Sequence, residues 1–481
     1  MKRKLLVTAG LLFLQTAKAQ VSGIEWQESY SSLNLTNMSM HIHGNASGNG
    51  FFFTQNYDEY FPNQQQYGIL SKTTLGGTLL WNREFVQTNT EHATKLYDIQ
   101  STAGGYVLAG EIIPTGNNDS FAKQGRMIKV DENGNTLWTK NYPVSAGWDF
   151  IYFTKVIATQ DSGFLLGGEI SNGIDDLDFF ILKTDANGNE QWRKTLGGSD
   201  LDFLDDMALN AEGNFYLSGR TQSTDGDVSN GGNVNSTYAT WAVKLSSTGT
   251  ILWENAFEGA SHDYPYVRIT DTADNGCALI YIQTKNISHG VEITKFYSNG
   301  TLHWQNDYNP YPGFWNDMNI IKSDNGQIVF GSGGSFIKGL NMNGDILWDW
   351  QNPDPAYTLR RGELTQTPDK GYLFTGENID ENKVEAIKLA PVATLAVQNA
   401  GNISENKLYP NPSNGNFTIS SKSGKISSIT ISDMSGKNVY SENIASAKHQ
   451  FHLESLAQGI YFVEILFENS RKETRKIMIK K

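Results

Sequence analysis

The 481-residue chain is 19% charged and 12% aromatic with a formal net charge of −13, a globular composition rather than a disordered one. Forty-seven glycines, 12 prolines and one cysteine argue against a disulfide scaffold and for an all-β chain with many turns. The acidic balance repels polyanions, so nucleic acid is not an expected partner, whereas cations and neutral polymers are compatible with it.

Residues 1–19 read as a secretory signal peptide. Lys2, Arg3 and Lys4 precede an apolar run from Leu5 to Leu14, and Ala17 and Ala19 form an A-x-A cleavage site before Gln20. The run is too short to span a bilayer. Its removal deletes four basic groups and no acidic one, taking the net charge from −13 to −17. From Glu405 to the C-terminus 11 basic residues face seven acidic ones, so the intervening body carries −21.

That body is repetitive. A Gly-x-x-x-Trp unit occurs six times, ending at Trp81, Trp138, Trp192, Trp253, Trp304 and Trp348. A lysine lies nine residues before the first five of these tryptophans and ten before Trp348. Around Asn133-Gly134 the pattern predicts a hairpin with a two-residue type I′ turn and Lys129 opposite Trp138. A lysine–tryptophan pair of this kind is expected to serve packing, with a cation–π contact. A second element, a glycine-led apolar strand such as Gly105 to Glu111, recurs seven times, from Gly50 to Gly371. Each repeat therefore holds four strands, A to D.

The last repeat lacks a Trp strand, and Ile24 to Tyr30 (IEWQESY) resembles Thr136 to Tyr142 (TLWTKNY). A ring closed by the N-terminal strand accounts for both facts and hides the sheet edges. Residues 20–391 are thus expected to form a seven-bladed β-propeller. Cys277 occupies a strand position taken by Phe or Tyr in other repeats and is expected to be buried and inert.

The run Gly219 to Tyr264, with STDGDVSNGG and TWAVKLSSTGTILWENAFEGASHDY, resembles the repeat of secreted β-propeller proteins common in Bacteroidetes. The Gly-x-x-x-Trp spacing is also similar to the tryptophan-docking motif of quinoprotein propellers. Here Asp131 precedes Gly134 by three residues rather than four, and no adjacent cysteine pair is present. No cofactor is expected beyond calcium.

Repeat periodicity stops after Leu389, and residues 392–404 read as a linker. Residues 405–481 carry Tyr409-Pro410-Asn411-Pro412 with Gly415, then Asp433 and Gly436, then Gly459 and Tyr461, and a basic end. In this order they resemble the type A C-terminal sorting domain of the type IX secretion system. The resemblance implies recognition by the outer-membrane translocon, cleavage by its processing peptidase, and release or attachment to surface lipopolysaccharide. The alternating runs also suit a small immunoglobulin-like β-sandwich.

Within each repeat the A–B and C–D connections are tight, whereas B–C and D–A connections are long and share the opposite face. Function is expected there. The D–A loops carry Trp148 and Asp149, then Asp202, Asp205 and Asp206, then Asp263 and Tyr264, then Trp315 and Asp317. Aromatic platforms beside carboxylates suit sugar rings or cations, and paired carboxylates suit glycosidase chemistry. Packing between blades, with aromatics wedging neighbouring sheets and carboxylates capping turns, is the preferred reading of the same residues. Asp225 and Asp227 in the longest B–C loop are a calcium candidate, although position 12 of an EF-hand frame would be Ser236. His41 and His43 share a strand face without a third ligand. HExxH, GxSxG and Walker motifs are absent from the sequence. The reading is an exported binding or adhesion module for a glycan or protein, the alternative being an enzyme acting on extracellular polysaccharide.

Overall fold

A computed structural model describes residues 23–30, 45–47, 50–58, 66–85, 91–114, 123–144, 148–171, 173, 176–229, 238–258, 266–285, 288–308, 318–354, 359–378, 383–391, 407–409, 413–421, 425–433, 437–468 and 472–480. The signal-peptide residues, Ala17 and Ala19 included, and His41 and His43 lie outside these. None of the described residues is helical. By its contacts the chain divides into residues 1–395 and 396–481.

Among the described residues the first unit is a ring of four-stranded antiparallel sheets, seven in all once the first two, which share one parallel bridge at Gln66 and Ala93, are counted separately. The innermost strands, A, are Asn45–Ser47, Glu91–Thr102, Phe150–Ala158, Asp202–Leu209, Arg268–Asp271, Met318–Lys322 and Arg360–Gln366. Each contacts the next, and the seventh contacts the first, so the ring is closed. Closure comes from the N-terminal strand: Ile24–Tyr30 pairs antiparallel with Lys383–Leu389 as the fourth strand of blade seven.

The cross-strand register matches the sequence pattern. Lys72, Lys129, Lys183, Lys244 and Lys295 face Trp81, Trp138, Trp192, Trp253 and Trp304, while Lys338 faces Asp349 and Trp348 faces Gly339. The turn and the lysine contacts differ from expectation. Gly134 N donates to Asp131 O (3.0 Å) and only Gly134, at φ +77°, is left-handed. The hairpin is thus a type I turn followed by a glycine bulge rather than type I′. Its first residue explains why: Asp131 Oδ1 accepts from Asn133 N and Asn135 N, both at 2.8 Å, and this local cap holds the longer turn. Lys183 Nζ bonds Asp161 in the A–B turn at 2.8 and 3.0 Å, and Lys129 Nζ bonds Thr102 Oγ1 at 2.9 Å. In these blades the lysine ties strand C to the inner turn of its own blade, whereas Lys72 Nζ bonds Glu132 O (3.3 Å) and Lys244 Nζ bonds Ser298 O (2.8 Å) of the next blade.

The tryptophan has a different partner, the next blade. A Cβ added at Gly77, Gly134, Gly188 or Gly300 would strike Trp26, Trp81, Trp138 or Trp253 of the preceding blade at 3.0 Å or less. Tyr142 OH donates to Gly188 O (2.8 Å) and Trp253 Nε1 to Ser298 O (3.1 Å) across the same seam. Each Gly-x-x-x-Trp unit therefore supplies a socket to the blade before it and a ring to the blade after it. Trp348, out of register, packs on Tyr372 of blade seven with ring centres 5.5 Å apart, and the D strand of that blade arrives from the other end of the chain.

Between the blades, apolar side chains of strands B and C interdigitate. Phe179 of blade three packs on Trp241 of blade four at 4.7 Å, while within blade three Phe153 of strand A stacks on Phe180 of strand C at 6.1 Å. Cys277 is fully buried in one such layer, and burial pushes its thiol far above the ordinary range. A thiol so protonated is no nucleophile.

The second unit packs a three-stranded sheet and a four-stranded sheet around Phe417, Ile429, Ile431, Phe451, Val463 and Ile477. Tyr461 is buried and its hydroxyl donates to Ala457 O (3.0 Å). Asp433 and Lys437 close a hairpin, Gly415 sits at φ +106° against Leu453 O, and Gly459 pairs with Ile479. Tyr409 is exposed, and Pro410, Asn411, Pro412 and Gly436 are outside the described residues.

Candidate functional site

The inner strands of blades two, three, four and seven are bulged, and the register shifts before Asp98, Lys155, Asp206 and Glu363. With Arg268 and Asn319 of blades five and six, these residues face equivalent strand-B positions: Ala109, Gly167, Ser218, Thr375, Ile280 and Gly331. Six side chains therefore stand at one level of the channel, and most are charged. Lys155 Nζ lies 3.2 Å from Asp206 Oδ1 and 3.6 Å from Glu363 Oε1, which is also 3.4 Å from Arg268. Asp98 accepts from Ile99 N (2.7 Å) and, across the seam, from Val156 N (2.8 Å). Burial pushes its carboxyl up to about 7 against the pull of Lys155.

This tier divides the channel. Lys155 and Glu363 border both a cavity of about 300 Å³ toward the long-loop end and one of about 340 Å³ toward the tight turns. The long-loop cavity has aromatic walls, Tyr97, Tyr152, Phe203 and Tyr266. Arg220 is clamped in it by Asp205, with Nε to Oδ2 and a terminal nitrogen to Oδ1 both at 3.0 Å. Its guanidinium lies 4.6 Å from the centre of Phe203, 5.5 Å from Tyr238 and 5.4 Å from Tyr266. Beside it Glu169, 4% exposed, accepts from Tyr152 OH. Burial pushes the Glu169 carboxyl up to about 7, against the bond from Tyr152 and the charge of Arg220. Such a site offers π-faces, a fixed cation and a carboxyl able to hold or release a proton near neutrality.

The raised Glu169 carboxyl has a measurable consequence. Its folded value exceeds its usual 4.5, so the native state binds the proton more tightly and stability falls as pH rises from about 4.5 through about 7. In Glu169→Gln this component, about 3 kcal/mol at most, is expected to vanish. Urea midpoints at pH 5 and pH 8 should differ less in the variant than in the wild type; equal differences would refute the assignment.

The residues singled out in the sequence separate spatially. Asp205 lines the cavity and caps Val267 N at 3.2 Å. Asp202 is fully buried away from it, accepting from Gly198 N and Ser223 Oγ at 2.9 Å each. Trp148 packs on the core around Phe153 and Tyr142, and Asp149 is exposed, its N–H bonded to Ser171 O (2.7 Å). Asp225 and Asp227 accept from Ser199 N (2.8 Å) and Gly197 N (3.4 Å). Asp263, Tyr264, Trp315 and Asp317 lie outside the described residues. Among the described residues no group of three or more His, Cys, Asp or Glu side chains forms a metal site.

Lys155, Glu169, Arg220, Arg268 and Glu363 were not singled out. One signal existed: before the repeated apolar residue of strand A (Ile99, Val156, Met207, Ile269, Ile320, Leu364), the sequence reads Asp, Lys, Asp, Arg, Asn and Glu. Packing alone does not call for a charge that changes sign from blade to blade inside a strand.

Comparison with known proteins bears on both units. Residues 407–480 match the family described as a secretion system C-terminal sorting domain. This is a β-propeller protein sorted by the type IX secretion system. It is exported to the cell surface or the extracellular space. Among solved structures it is similar to PorZ, a surface component of the type IX secretion system of Porphyromonas gingivalis, at 10% identity and TM-score 0.33, covering 92% of this chain and 70% of that one. The WD40 β-propeller domain of Doa1 matches at 10% identity and TM-score 0.42, covering 77% of this chain and 98% of that one. The polysaccharide lyase Uly1 matches at 12% identity and TM-score 0.48, covering 78% and 94%. No curated protein matches the sequence.

Proposed function

We propose that the exported propeller is a binding module whose ligand, a glycan or a glycan-like part of a protein, enters the long-loop mouth of the channel. The observation that carries this reading is the cavity of about 300 Å³ in which Tyr97, Tyr152, Phe203 and Tyr266 surround Arg220 and Glu169. Sugar rings present an apolar face to aromatic rings and hydroxyls to charged groups, and this lining meets both demands. In transit the sorting domain engages the type IX translocon; its processing peptidase cuts between residues 392 and 404, and the propeller is released or joined to lipopolysaccharide.

A glycan array probed with the exported protein tests the reading. Binding is expected, weakened at least tenfold by Tyr152→Ala or Tyr266→Ala; binding unaffected by both would refute the site. A second reading, an enzyme acting on polysaccharide, is favoured by Glu169, whose carboxyl near 7 suits general acid–base work. It requires released products in the same screen and their loss in Glu169→Gln with binding retained.

A further inference from the structure

Outside the channel, blades three and four gather carboxylates at their long-loop end. Asp176 and Asp178 stand at the start of strand C of blade three, Asp200 in the connection to blade four and Asp202 at the start of its strand A, and Asp225 and Asp227 in the B–C loop of blade four. Residues 197–202 and 223–228 contain no lysine or arginine. The two segments are laced together: Asp227 N donates to Gly197 O (2.9 Å), and Ser199 N to Asp225 Oδ1 (2.8 Å). Asp202 is 0% exposed and Asp178 8% exposed. Asp202 Oδ2 is satisfied by Gly198 N and Ser223 Oγ, yet Asp202 Oδ1 and Asp178 Oδ1 are buried without a hydrogen-bond donor.

These two carboxylates converge over Gly197. A Cβ there would lie 1.7 Å from Asp178 Oδ1 and 2.7 Å from Asp202 Oδ2. Asp178 Oδ1, a buried carboxylate oxygen without a donor set beside a second buried carboxylate, is costly unless a cation lies between them. We propose that this cluster binds one calcium ion, with Asp178 and Asp202 as its carboxylate ligands, joining blade three to blade four. Because no three acidic side chains converge, main-chain oxygens of the two segments and water complete the shell, as a hard cation with six to eight oxygen ligands permits. Asp225 and Asp227, the pair expected from sequence to hold calcium, instead accept amide hydrogens and fix the loop around the ion. An exported protein meets calcium at concentrations that fill sites with dissociation constants of about 10⁻⁴–10⁻³ M.

The test uses the full exported chain, stripped with EGTA and then titrated with calcium chloride, followed by equilibrium dialysis and thermal unfolding. One calcium per chain is expected, with a rise in Tm of several degrees that equimolar magnesium reproduces only in small part. Asp178→Asn and Asp202→Asn should each weaken binding at least tenfold, and Asp225→Asn less. Where the fully buried Asp202 variant fails to fold, Asp178→Asn carries the comparison. Failure of the stripped wild-type chain to bind calcium overturns the proposal, as does binding that Asp178→Asn leaves unchanged. Stabilisation by acid alone, without bound calcium, would mean that the two carboxylates share a proton, and overturns it equally.

Discussion

Deleting residues 20–30 from the exported chain is expected to abolish a stable monomeric propeller. Ile24–Tyr30 supplies the outer ladder of blade seven, and Trp26 Nε1 bonds Leu75 O (3.1 Å) while Tyr30 OH bonds Gly77 O (2.7 Å) in blade one. Lys388, 3% exposed at its side chain, loses Glu25 at 2.9 Å. Ladder bonds at about 1 kcal/mol each and two aromatic side chains at about 1.5–3 kcal/mol each sum to roughly 5–10 kcal/mol. That is the scale of a whole domain's stability, about 5–15 kcal/mol. The deletion also exposes Lys383–Leu389 as a free edge, which invites aggregation. Urea unfolding and light scattering would report the loss. A truncated chain with the wild-type midpoint would show that closure contributes little. A circular permutant joining residue 391 to residue 23 should fold, because Ala390 N already bonds Gly23 O at 2.9 Å.

Arg220→Met is expected to destabilise the propeller by about 3–5 kcal/mol, the cost of breaking one side of a buried ion pair. The Arg220 and Asp205 side chains are 11% and 4% exposed. Burial holds the Asp205 carboxyl above its ordinary range even beside Arg220. The pair therefore only offsets its own desolvation, and removing the arginine strands a charge among aromatic rings. Arg220→Met combined with Asp205→Asn should recover most of the loss, because replacing both partners is near neutral. A double-mutant cycle in urea measures this; additive losses would contradict the coupling. Ligand binding at the cavity should not recover in the double variant, which separates the two roles of Arg220.

Much of the fold was legible because a repeat exposes its own packing requirements. The Gly-x-x-x-Trp spacing, the lysine opposite the tryptophan, the slip at Trp348 and the seventh indole at Trp26 could all be read by laying the repeats side by side, and the register follows them. The partners of those residues could not. The tryptophan meets a glycine about 50 residues further along, and the lysine meets either the inner turn of its own blade, as Lys183 does, or a carbonyl of the next blade, as Lys244 does; neither contact leaves a trace in local spacing. The type I turn with its glycine bulge was misread for a related reason: Asn-Gly favours two positive φ angles, but the cap from Asp131 outweighs that preference.

The candidate site divides the same way. Asp205 lay in a segment already expected to matter, although it falls in strand A rather than in a loop, whereas Glu169, Arg220 and the charged tier lay inside apolar strands, where a charge is recognised only when the ring brings several together. Sequence by itself determined the all-β class, the repeat, the closing strand and the sorting domain, because these depend on periodicity and on motifs contiguous in the chain. Only the tertiary structure decided which charges share the channel, which aspartates are buried and which carboxylate is left without a donor. Those properties depend on distances between residues of different blades, and on a burial that raises the free energy of a charge only once the neighbouring blade is in place.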